Sequence, residues 1–134
     1  MGQQQLLLIV LGVIIVGIAV VVGINVFTAS SLEANKSAVV ADLQTIGSMA
    51  QQFYRKPTAM GRGGNTFDGG AGWSVPTALT RTANMSADVS ATVATGLVTL
   101  VGTGTETGAN GTSPITVTMI ITPDSIRSTV FGND

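Results

Sequence analysis

No side-chain charge occurs in this chain before Glu33. Gln3-Gln4-Gln5 come first, and Leu6 to Phe27 is then almost wholly apolar. About 20 apolar residues are enough to cross a bilayer as a helix. One end of the chain therefore belongs in lipid, or in something equally dry. A secretory signal peptide needs a basic start and an apolar run of about 7–15 residues. This run is longer and no Lys or Arg precedes it, so the segment is expected to stay in the finished molecule; Met1 is the preferred mature start, and a basic leader removed upstream of it, or one of which Met1-Gly2 is a vestige, is the alternative.

Gln3 to about Tyr54 reads as one helix. Its first half is apolar on every side, as an embedded helix is: Leu6, Leu7, Leu8, Ile9, Leu11, Val13, Ile14, Val16, Ile18, Val20, Val21, Ile24 and Phe27. Gly12, Gly17 and Gly23 interrupt the run at spacings of five and six, not at the GxxxG spacing of a tight helix dimer. Two readings stand: glycine's ordinary frequency in membrane helices, or local softness that lets neighbours approach. From Leu32 the pattern changes. Val39, Leu43, Ile46, Ala50 and Phe53 recur at steps of three and four, an amphipathic stripe expected to pack on a sheet. Ser37, Gln44, Ser48, Gln51 and Gln52 are expected on the other side. Such a helix is about 80 Å long against a lipid core of about 30 Å.

Arg55-Lys56-Pro57 ends the helix, because proline disfavours the helical conformation before it. Glycines crowd the next stretch, which reads as a long connection anchored by Phe67 and Trp73. Period-two alternation follows. Val89, Ala91 and Val93 share one face, Leu97 to Val101 forms a short strand, Ile115, Val117, Met119 and Ile121 share a face, and Ile126 to Phe131 adds a last strand. Gly102 to Pro114 reads as a flexible hairpin loop. The expected fold class is α+β: one long N-terminal helix (about residues 3–54) with a small antiparallel sheet packed on its distal half. Residues 1–31 form the membrane-spanning or filament-core helix half. Residues 32–134 form the globular domain: amphipathic helix 32–55, glycine-rich loop 56–72 and antiparallel sheet 73–134.

Composition excludes several kinds of chemistry. The chain has no Cys and no His, so thiolate, imidazole and ordinary zinc chemistry are absent. The carboxylates Glu33, Asp42, Asp68, Asp88, Glu106, Asp124 and Asp134 are scattered along the sequence. No glycine-rich segment closes as a phosphate-binding loop, and six Lys and Arg make no basic patch for nucleic acid. No catalytic residue, cofactor or metal is expected. The basic residue nearest the apolar run is Lys36, which taken alone would place the domain in the cytoplasm. The Thr-, Gly-, Ser- and Asn-rich composition and the N-x-[ST] triplets at Asn35, Asn84 and Asn110 suit the cell surface instead. Asn84 and Asn110 are the candidate glycosylation positions.

An amphipathic extension carrying a β domain exceeds what a bilayer anchor requires. It makes sense where apolar rods leave lipid and pack side by side, with polar domains outside. At this point the chain resembles the type IV pilins. The resemblance rests on the charge-free Gln3 to Phe27, the amphipathic Leu32 to Phe53, the glycine-rich connection and the strands from about Ala87, and it covers essentially the whole chain. It implies a structural subunit of an extracellular filament, polymerising through its N-terminal helix. The implied partners are many copies of itself, the cytoplasmic membrane before assembly, and a pilus assembly machinery. Adhesion and motility are among such filaments' roles. The chain departs from the family pattern: Gln5 stands where most bacterial members have a glutamate that pairs with a neighbour's N-terminal amine, and Val22-Gly23 stands near a common proline. Alternatives are a single-span surface protein with a partner-binding β domain, or a pseudopilin of a secretion system.

Overall fold

The computed structural model describes residues 2–61, 63–70 and 72–132. Met1 and Asp134 lie outside them. One helix, α1, runs unbroken over Gly2–Arg55, through Gly12, Gly17 and Gly23. Among the described residues four strands follow: β1 (Ser90–Val93), β2 (Val98–Thr107), β3 (Pro114–Ile121) and β4 (Ile126–Gly132). They pair antiparallel in the order β1-β2-β3-β4, the meander expected of strands joined by short turns. The fold is α+β.

The helix ends where its last carbonyls find donors outside the helix. Such carbonyls lack partners within their own helix. The backbone N–H groups of Gly63 and Asn65 donate to the carbonyls of Phe53 and Tyr54, at 3.2 and 2.8 Å. Asn65 adopts a left-handed φ of 70° to do so. Phe67 is fully buried and its ring lies 4.9 Å from that of Tyr54. With buried Trp73 it fastens the glycine-rich loop to the domain.

The core lies between one face of α1 and one face of the sheet. Val39, Leu43, Ile46, Ala50 and Phe53 are buried against Val98, Leu100, Val117, Met119 and Ile121. Burial alternates along β3, so Ile115, Val117, Met119 and Ile121 are covered and the residues between are half-exposed. Each large aliphatic side chain removed from water contributes about 1.5–3 kcal/mol.

The sheet approaches the helix closely at glycines. A Cβ on Gly102 would lie 2.9 Å from Val39 Cγ1, and one on Gly104 would strike Asn35 Oδ1 and Ile115 Cγ1. Both positions are buried. This corrects the expected loop over Gly102 to Pro114: β2 continues to Thr107, and only 108–113 turn the chain. Glycine is poor in a strand interior unless another backbone or helix must come near, and here a helix does. Four further differences appear. Leu97 precedes β2 and is 40% exposed. Ala91 is exposed although Val89 is buried, because β1 is a short edge strand. Gln51 is half-buried and its Nε2 donates to the Thr122 carbonyl at 3.0 Å, so it belongs to the sheet side. Residues 73–89 hold a 3-10 turn (Thr77–Leu79), irregular chain and one isolated antiparallel bridge, Met85 with Gly104; the strands themselves begin at Ser90.

Candidate assembly surface

Among the described residues, the proximal half of α1 stands clear of the sheet and the loops. All 17 large apolar side chains from Leu6 to Phe27 are exposed, from 52% at Leu11 to 75% at Phe27. They include Leu7, Leu8, Ile9, Val13, Ile14, Val16, Ile18, Val20, Val21 and Ile24. By length and composition the helix could cross a membrane, and none of its most apolar window is buried. A Cβ on Gly12, Gly17 or Gly23 would meet open space. Side chains of this size expose on the order of 1,000–2,000 Å² together, worth tens of kcal/mol if covered. A soluble monomer rarely shows a contiguous apolar patch beyond a few hundred Å², so this rod requires a covering phase.

Charge begins where the domain begins. Thr28 Oγ1 returns to the Ile24 carbonyl at 2.9 Å, so its hydroxyl is already bonded. Ser31 and Leu32 are half-buried. Lys36 Nζ stands 3.6 Å from Glu33 Oε2 and 5.0 Å from the centre of the Phe131 ring. Its side chain is 13% exposed, so Lys36 is covered rather than displayed at the surface.

The back of the distal helix, away from the sheet, is also free of charge. Ala34, Ser37, Ala41, Gln44, Thr45, Ser48 and Gln52 are exposed there. Thr45 Oγ1 donates to the Ala41 carbonyl at 3.1 Å and Ser48 Oγ to the Gln44 carbonyl at 2.9 Å. Hydroxyls bonded within their own helix lose little when dried. Asp42, the one acid along this stretch, is turned aside. Its Oδ2 accepts from Thr82 Oγ1 at 2.6 Å and Asn84 Nδ2 at 3.1 Å.

The three triplet asparagines differ in setting. Asn35 ties helix to sheet: Nδ2 donates to the Asn84 carbonyl and Thr105 Oγ1, and Oδ1 accepts from the N–H groups of Thr105 and Glu106. Asn84 is half-buried on Asp42. Asn110 is exposed in the β2–β3 turn, where its Oδ1 accepts from the backbone of Thr112 and Ser113. At the far end Arg55 Nη2 donates to the Pro123 carbonyl at 3.2 Å. These contacts hold the sheet against the helix, so the rod leaves the domain in one direction.

Two features escaped the sequence reading. The period-two pair Gly102 and Gly104 was itself the signal of a close approach, masked by the glycines around it. Asn25 was hidden in an apolar run; it is an exposed amide on the bare rod. Comparison with known proteins adds no relative: no family model, no curated protein and no solved structure matches the chain.

Proposed function

We propose that this chain is the structural subunit of a pilus-like helical filament on the cell surface, resembling the type IV pilins. The observation that carries the reading is the bare apolar rod set in line with an uncharged back face on the same helix. In this reading the membrane holds the subunit first. An assembly machinery then moves it into a polymer whose core is made of rods from many copies. Dry packing there replaces lipid at little cost, because no side-chain charge must be desolvated until Glu33. The domains form the outer coat, and a Thr-, Ser- and Asn-rich surface suits that place. The chain works by packing, not by catalysis.

Between Thr28 and Asn35 there is no Trp or Tyr, the aromatic residues enriched where a permanent span meets the lipid interface. That favours a span that can be withdrawn. One observation favours the simpler surface anchor: Leu6 to Phe27, at about 33 Å, matches one bilayer crossing. Shearing cells and pelleting the supernatant separates the two readings. Fibres of this chain with a helical repeat, seen by electron microscopy, support the filament. Chain found only in detergent-soluble membranes, as single molecules, overturns it.

A further inference from the structure

Resting on the filament reading, we propose a specific contact between copies. The front of one rod docks on the back of a second copy's distal helix, and the stagger that sets Leu7 beside a second copy's Ala34 is about 40 Å.

The helix wheel defines both surfaces. At about 100° per residue, Gln3, Leu7, Ile14, Ile18, Val21 and Asn25 lie within about 30° of one line. That line continues into the stripe of Val39, Leu43 and Ala50 that faces the sheet. Ser30, Ala34, Ala41, Thr45, Ser48 and Gln52 lie within about 30° of the opposite line, and all six are exposed. The step from Leu7 to Ala34 is about seven and a half turns, so this stagger brings the two lines together when the helices are parallel. It sets Leu7 and Ile14 on a second copy's Ala34 and Ala41, and Ile18 and Val21 on its Thr45 and Ser48. Large side chains meet small ones throughout, and both hydroxyls are already bonded to their own helix.

The amides single out this stagger. Gln3 and Asn25 are polar positions at the two ends of the front stripe, and an unbonded amide in a dry core costs several kcal/mol. Here Gln3 meets a second copy's Ser30 and Asn25 meets its Gln52, so both have partners. The neighbouring staggers, one helical turn shorter or longer, fail. One turn shorter, Gln3 faces Val26 or Phe27. One turn longer, Asn25 faces Lys56, whose charge enters the contact, and Gln3 faces Ala34, which offers its amide no partner. Buried asparagine sets register in this way in coiled coils, at some cost in stability.

Room and symmetry agree. The helix inside the domain, Leu32 to Arg55, is about 36 Å long. A stagger of about 40 Å therefore stacks the second copy's domain beneath the first. Front meeting back is a heterologous contact, which propagates as an open polymer.

The chain has no cysteine, so engineered thiols report cleanly. Filaments of the double variant Leu7→Cys/Ala34→Cys are treated with a short thiol cross-linker and run on a denaturing gel. The expected result is a ladder of covalent multimers, with each single variant remaining monomeric. The off-register pair Leu7→Cys/Ala41→Cys remains monomeric too. Fibres without a ladder from the first pair, or with a ladder from the off-register pair, overturn the stagger while leaving the filament reading intact. Absence of fibres from the unmodified chain overturns the filament reading itself. Should the variants fail to polymerise, helical reconstruction of unmodified fibres decides. Contacting copies offset by about 40 Å, the rise from Leu7 to Ala34, support the stagger, and any other offset for this contact overturns it.

Discussion

Gly104 and Asn35 share one space: a Cβ on the glycine would fall on the Oδ1 of the asparagine. That oxygen accepts the N–H groups of Thr105 and Glu106, which follow Gly104 along β2. The missing side chain is what allows the helix amide to reach the strand. Gly104→Ala is expected to destabilise the domain by about 1–3 kcal/mol through overpacking. Asn35→Ala loses the hydrogen bonds instead and costs about 1–3 kcal/mol. Denaturant unfolding of the detergent-solubilised chain checks both. Because the two changes break one contact, the double variant is expected to lose less than the two single losses added together.

Leu43 and Ile14 are expected to separate folding from assembly. Leu43 is fully buried under the sheet and Ile14 is 53% exposed. Leu43→Ala costs the folded domain about 2–5 kcal/mol. Ile14→Ala leaves its unfolding within about 0.5 kcal/mol but lowers filament yield. Equal effects on domain stability would show that the rod packs within its own chain.

Val16→Asp places a charge midway along the rod, where an uncompensated buried carboxylate costs several kcal/mol. Polymer is expected to vanish while the unfolding midpoint of the domain stays put. Unchanged filament yield from this variant would contradict a rod-lined core.

Salt is expected to leave assembled filaments intact. At 1 M the Debye length is about 3 Å, which strips exposed ion pairs of most of their worth. A core without charged side chains responds little to that, whereas detergent competes directly for the apolar rods. Pelleting in high salt and in detergent distinguishes the two, and dissolution by salt alone would place the main contacts between the charged domains.

Much of this was legible in the residue order because it depends on one-dimensional periodicity. Val39 to Phe53 at steps of three and four define a helix face wherever they are folded, and Ile115 to Ile121 at steps of two define a sheet face. Gly102 and Gly104 were misread because local preference sends glycine to loops, whereas the decision there belonged to Val39 and Asn35, on a helix far earlier in the chain. Asn25 was overlooked for a different reason: one amide barely alters the mean hydropathy of its window, yet in a dry contact it needs a partner of its own.

Residue order alone determined that this chain has a charge-free rod, a long helix and a small antiparallel sheet, since those follow from hydrophobic period and turn residues. Tertiary structure decided which helix face the sheet covers, how closely the strands approach, and which uncharged face remains open along the distal helix. Those depend on the fit of side chains distant in sequence, such as Asn35 into the gap at Gly104, and no local pattern encodes that fit.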